Sequence, residues 1–276
     1  MAINPPSFLF LPASVAPDSH MERSLSMKLS GNHRFVMLLA VLAIIALSEA
    51  ALAGEALPCS RFAYEDLPQP ASRSDRHAVD RLQRINQAIN NTPHSVLFLG
   101  DSLTEWWDPN VWERNLAPRG ALNAGIGGDR TDHLLWRLEN GNLAGPPPKV
   151  VVILIGTNDL GLGRSPELTA DGIRTNLQLL RERLPEARIL LIGLLPREEG
   201  PNSPLRRAVV RVNNFIRDCA DGEHITYAEI GEVLLDSNGR LDAAISPDQL
   251  HFSERGYALL TSQLNPLLDG LLAAAR

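Results

Sequence analysis

Ser102 stands in Gly100-Asp101-Ser102-Leu103-Thr104, directly after the apolar run Val96-Leu97-Phe98-Leu99. A serine hydroxyl attacks a carbonyl efficiently only when a base takes its proton. The chain offers seven histidines for that task. His20 and His33 lie in an N-terminal stretch set apart below, and His77 falls on an amphipathic helical stripe. His94 and His224 precede strands, at the wrong end of a parallel sheet, and His133 has no orienting carboxylate evident from the sequence. His251 remains, with Asp248 three residues ahead in Ser246-Pro247-Asp248-Gln249-Leu250-His251. An Asp-x-x-His turn lets the carboxylate reach the ring nitrogen facing away from the serine, fixing tautomer and orientation. The set is a nucleophile, a base and its orienter, the requirements of acyl transfer. Each member also has a plainer reading, Ser102 as a helix cap and Asp248-x-x-His251 as a surface turn.

Acyl transfer further needs donors aimed at the oxyanion. Gly128, in Gly125-Ile126-Gly127-Gly128, offers a backbone N–H where no side chain blocks the approach. Asn158, in Gly156-Thr157-Asn158-Asp159, offers a side-chain amide. A tight turn and a cap are the plainer readings of these two. Leu103 follows the nucleophile and Leu250 precedes the base, so both are candidates to line a short acyl slot; the alternative is that they are core residues. The only lysines are Lys28 and Lys149, which excludes a Ser-Lys hydrolase on inventory.

These residues need a frame that brings them to one place. Val96–Leu99, Ala121–Asn123, Val150–Ile155, Arg188–Gly193 and His224–Tyr227 read as five strands. Helical stripes fall at 75–90, 131–139, 168–184 and 205–219, and Ser253 caps a last helix carrying Tyr257, Leu260, Leu264 and Leu271 inward, with Pro266 inside it. Strands alternating with helices predict an α/β fold, a doubly wound parallel sheet. Ser102, Gly128 and Asn158 all follow strands, where open α/β sheets build their sites.

The four blocks Gly100-Asp101-Ser102-Leu103-Thr104, Asn123 to Asp129, Gly156-Thr157-Asn158-Asp159 and Asp248-x-x-His251 resemble, in order and spacing, those of the SGNH (GDSL) hydrolases. The stretches Gly125–Leu138 and Gly193-Leu194-Leu195-Pro196-Arg197 resemble the catalytic subunits of intracellular platelet-activating factor acetylhydrolase and their bacterial relatives. The resemblance covers roughly Val96 to Leu268. It implies a flavodoxin-like three-layer sandwich with a five-stranded parallel sheet, and a serine esterase acting on short acyl esters through an acyl-enzyme. It also implies Ser102, His251 and Asp248 as triad, and the Ser102 N–H, Gly128 N–H and Asn158 amide as oxyanion hole, with no cofactor and no metal. Asp159 stands where the animal enzymes carry Asn.

The chain of 276 residues has a formal net charge of −6 and no basic face, which argues against nucleic acid as a partner. Phe35 to Leu47 is an apolar block preceded by Lys28, His33 and Arg34 and followed by Ala51-Leu52-Ala53. That order is expected of a secretory signal peptide, with Met21 or Met27 as alternative starts, and a periplasmic or secreted enzyme follows. An uncleaved segment would instead anchor the chain to a membrane. The expected organisation is a pre-sequence over 1–53, an N-terminal wrap and helix over 54–94 and the hydrolase domain over 95–276. Cys59 and Cys219 form no metal-binding spacing and are left unpaired or paired by the sequence. A homodimer is equally open.

Two other classes compete with the esterase. One is a metal-dependent phosphoester hydrolase using Asp101, Asp129 and Asp159; the other is a non-catalytic carbohydrate- or lipid-binding module on the same fold. A chromogenic acetate assay separates the binding module from the esterase, and chelator against a serine-directed organophosphate separates the metal enzyme. The esterase is expected to lose activity to a serine-directed organophosphate and keep it in chelator. The metal enzyme would do the reverse, and the binding module would show no turnover.

Overall fold

The computed structural model describes residues 57–59 and 69–275. The expected signal peptide and pre-sequence, and much of the expected N-terminal wrap, lie outside the described residues. Five parallel strands, β1 (Val96–Gly100), β2 (Ala121–Gly125), β3 (Val150–Leu154), β4 (Arg188–Ile192) and β5 (Ile225–Ala228), form one sheet in the order β2-β1-β3-β4-β5. β1 and β3 are buried along their whole length, as apolar runs without alternation require. Flanking helices complete the three layers. α4 (Thr131–Arg137), α6 (Pro166–Arg183) and α7 (Pro204–Arg217) pack side by side in one layer. α3 (Pro109–Asn115) packs on the final helix α8 (Glu254–Ala274) in the other. Right-handed crossovers put them there, because connections leave β1 toward β2 on one side and run from β3 to β5 on the other. The α/β, five-stranded reading of the sequence is therefore the architecture observed.

Helix starts follow local chemistry. Asp75 caps α1 (Arg76–Asn91) by accepting from Ala78 N, and Ser253 caps α8 by accepting from Gly256 N. Ser165 and Ser203 cap α6 and α7, each followed by a proline at the first helical position. Both helices thus begin earlier than the expected Leu168 and Leu205, because Ser-Pro there starts a helix. α4 ends at Arg137 and passes into a wider turn, Leu138–Asn142. Cys59 and Cys219 are joined in a disulfide, which ties the segment ahead of α1 to the end of α7. Among the described residues no helix is long and apolar enough to cross a membrane.

The feature of the fold that matters for chemistry is the reversal of strand order at β1. The chain steps from β1 to β2 on one side and to β3 on the other, so a crevice opens at their carboxyl ends. α2 (Ser102–Glu105) and α5 (Thr157–Gly161) start there, and the loop after β2 borders it. α2 lies directly on Gly125, where a Cβ would come within 2.3 Å of Glu105 N. Only glycine admits that approach, which sets the height of the nucleophile above the sheet.

Candidate active site

Ser102 opens α2 and is 4% exposed. Its Oγ lies 2.9 Å from His251 Nε2, across 149 residues of sequence. His251 Nδ1 lies 2.7 Å from Asp248 Oδ2, and Asp248 Oδ1 accepts the N–H groups of His251 (2.7 Å) and Leu250 (3.0 Å). One carboxylate therefore fixes both the ring and the backbone that carries it. Burial disfavours its charge, and hydrogen bonds from the His251 ring and from the His251 and Leu250 N–H groups outweigh that, holding its pKa below the ordinary value. The turn holding His251 is itself supported. Gln249 has φ +64°, Glu198 has φ +61°, and Glu198 N donates to Gln249 O at 2.8 Å. Two non-glycine residues in this region side by side mark a backbone held by its surroundings.

The loop after β2 reaches the same place. Gly128 is exposed with φ +83°, and its N–H has no acceptor among the described residues. Asn158 Nδ2 donates to Asp129 O at 2.8 Å, which ties the loop to α5 and leaves the second amide hydrogen for a ligand. The Trp106 ring lies 4.6 Å from the His251 ring, tilted by 50°, and is 52% exposed. Trp107 and Trp112 turn the other way and pack on Phe98, at 5.9 and 5.0 Å between centroids.

Leu103 does not line the site. It is 1% exposed and belongs to the hydrophobic core, the alternative weighed for it. Successive residues at a helix start point about 100° apart, so with Ser102 facing the crevice its neighbour faces inward. Leu250 is partly exposed beside His251. His133 has more company than the sequence suggests. Its Nδ1 accepts from Arg130 N at 3.2 Å and lies 3.9 Å from Asp129.

The carboxylates named for a metal site go elsewhere. Asp129 is held by Arg73 (3.1 Å) and Arg137 (2.7 Å). Asp159 accepts from Thr131 N (3.0 Å) and Oγ1 (2.8 Å) and pairs with Arg164 at 2.6 Å. Asp101 accepts from Leu103 N at 2.9 Å. A cation near the first two would face guanidinium groups, and no cluster of metal-ligating side chains occurs among the described residues. Arg137 is the functional residue that sequence reading missed. Its signal was its position with Leu134 and Leu138 on the buried face of α4, a charge at core spacing.

The profile of the GDSL-like Lipase/Acylhydrolase family matches residues 98–259. The chain belongs to this family. It is 42% identical over 182 residues to platelet-activating factor acetylhydrolase IB subunit alpha1 of Homo sapiens, covering 64% of this chain and 77% of that one. The alpha2 subunit of Homo sapiens is 40% identical over 186 residues, with the same coverage of 64% and 77%. A crystal structure of a GDSL-like lipase from Bacteroides thetaiotaomicron shares the fold, with a TM-score of 0.58 and 21% identity over 69% of this chain and 97% of that one. Family membership and the part-buried Ser102–His251 pair make the protein a carboxylic ester hydrolase that works on short-chain esters through an acyl-enzyme. Family membership and the assembled pair together support the esterase over the two competing classes.

Asp101 shows how the GDSL-like site treats charge. Burial raises its pKa to about 7, against the Leu103 N–H bond, and Asp129 and Asp159 push it the same way. Its Oδ2 has no hydrogen-bond partner among the described residues. Between the ordinary value of 3.8 and about 7 the folded chain binds a proton that the unfolded chain has released. Stability therefore falls as pH rises through that window and levels off above it. Asp101→Asn keeps the acceptor for Leu103 N–H and cannot ionise. Its stability relative to the parent is expected to increase from pH 4.5 to pH 8 in urea denaturation; a gap independent of pH would show that Asp101 ionises as freely in the fold as outside it.

Proposed function

We propose that the enzyme removes acetyl and other short acyl groups from a small alcohol, with Ser102, His251 and Asp248 as triad. The N–H groups of Ser102 and Gly128 and the Asn158 amide form the oxyanion hole in this reading. Ser102 Oγ attacks the ester carbonyl while His251 Nε2 takes its proton, and the carbonyl oxygen, now negative, meets the three donors. His251 then gives the proton to the departing alkoxide, leaving the acyl group on Ser102. Water, deprotonated by the same nitrogen, attacks that ester and releases the acid. Asp248 keeps Nδ1 protonated and stabilises the imidazolium without taking its proton. The 2.9 Å contact between Ser102 Oγ and His251 Nε2 is the observation that carries this reading.

Short acyl groups are favoured by Leu250, whose side chain starts one residue from the base and closes the slot in the absence of Leu103. The relatives at 40–42% identity are named as acetylhydrolases of platelet-activating factor, which supports acetyl as the group transferred. An oxidising compartment fits the Cys59–Cys219 disulfide, and with the basic–apolar–small order of residues 28–53 it supports export of the enzyme.

Turnover of p-nitrophenyl acetate by the parent enzyme tests the reading. Ser102→Ala and His251→Ala are each expected to remove most of it, up to about 10⁶-fold, with the double variant scarcely worse. Losses that add in full would mean that the two side chains do not act together. The acyl series tests Leu250 separately. Leu250→Ala is expected to raise the hexanoate-to-acetate ratio of kcat/KM by about 10-fold, within the range a few methylene contacts supply. An unchanged ratio would remove Leu250 from the slot.

A further inference from the structure

Gly127 is the hinge on which the oxyanion donor turns. It has no side chain and two free dihedral angles, and the Gly128 N–H belongs to the peptide that begins at its carbonyl. A trans peptide is planar, so its C=O and N–H point in opposite directions. Whatever holds Gly127 O therefore aims Gly128 N–H. Arg73 NH1 donates to Gly127 O at 2.6 Å and to Asp129 Oδ1 at 3.1 Å. On the other side of the same residue, Gly127 N donates to Glu105 Oε2 at 2.6 Å. Gly127 is thus pinned at both of its backbone groups by charged side chains.

Glu105 is itself held. Its side chain is 10% exposed, and its carboxylate takes His77 Nε2 at 3.0 Å and Arg81 Nε at 3.5 Å. That surrounding matters electrostatically. A bare carboxylate one peptide away from the oxyanion hole would oppose the charge that develops there, and the Arg81 guanidinium and the hydrogen bond with His77 offset it. Arg73, His77 and Arg81 all precede residues 98–259, the part that matches the family. The segment ahead of the matched region therefore reaches the reacting centre through its side chains.

We propose that Arg73 and Glu105 are positioning residues of the oxyanion hole, clamping the C=O and N–H of Gly127 so that the Gly128 N–H faces the tetrahedral oxygen. The proposal rests on the acyl-transfer reading of the site, deepens it, and gives the segment before β1 a part in the reaction. Neither side chain touches substrate. Their effect falls on the transition state, where the oxygen carries its charge, and not on the bound ester.

The test uses the full chain with p-nitrophenyl acetate. Glu105→Ala and Arg73→Met are each expected to lower kcat about 10- to 100-fold, less than loss of a whole oxyanion donor, with KM changed less than about threefold. Glu105→Gln keeps an acceptor for Gly127 N–H and is expected to recover most of the kcat lost in Glu105→Ala. A merely structural role would lower Tm and the active fraction without that recovery, so active sites are titrated with an organophosphate and kcat is referred to them. The proposal is overturned if both substitutions leave kcat per active site intact. It is equally overturned if the loss falls on KM, or if Glu105→Gln is as slow as Glu105→Ala. A parent enzyme that does not turn over the ester, or a Ser102→Ala variant that does, would instead bring down the reading beneath it.

Discussion

Arg137 carries a full charge at a position 2% exposed, between the end of β1 and the loop that follows β2. Burying a guanidinium costs several kcal/mol unless its donors are all matched. Here each of its three nitrogens has an acceptor: Asp129 Oδ2 at 2.7 Å, Gly100 O at 2.8 Å and the Asn142 side chain. Gly100 is the last residue before Asp101-Ser102, and Asp129 follows Gly128. One side chain therefore joins the strand that leads into Ser102 to the loop that carries Gly128. The wide turn after α4 has its reason in the same contact, since it brings Asn142 back onto Arg137. Asp129 is in turn shared with Arg73, so the charge on each partner is answered by the next.

Around that pair the site divides its tasks between rigid and adjustable parts. Ser102, Gly128 and Asn158 come from the ends of three adjacent strands, and their relative positions are set by the sheet register. His251 comes from the far side, on a turn built from Asp248 and buttressed by Glu198. Ser246 fixes that turn from beneath by donating to His251 O at 2.9 Å. Tyr257 donates to Leu103 O at 3.0 Å, linking α8, which follows the base, to α2, which begins with the nucleophile. The nucleophile and the base are thus joined through the core as well as across the crevice.

Much of this was legible in the sequence, for physical reasons that differ from residue to residue. Strand runs such as Val150–Leu154 declare themselves because a two-sided strand must be apolar throughout. Ser102 and the Asp248-x-x-His251 turn were legible because their chemistry restricts residue type at fixed short spacings. Leu103 was misplaced because adjacency along the chain does not give side-chain direction at a helix start. The pairs Arg73–Asp129 and Arg164–Asp132 were invisible, since ion pairs joining distant segments leave no local pattern. Asp159, in the place of an asparagine of the animal enzymes, becomes intelligible only beside Arg164, whose charge it answers.

Arg81 has a second effect, at the margin of the sheet. β2 is an edge strand, and the carbonyls of Asn123 and Gly125 face outward from it. Arg81 takes both, Asn123 O at 2.9 Å and Gly125 O at 3.1 Å. An open edge with free carbonyls is a template on which a strand from another chain can assemble. With those acceptors already occupied by a cation, an incoming strand finds no row of partners and a positive charge in its path. The side chain that steadies Glu105 thereby also keeps the sheet from growing into its neighbours.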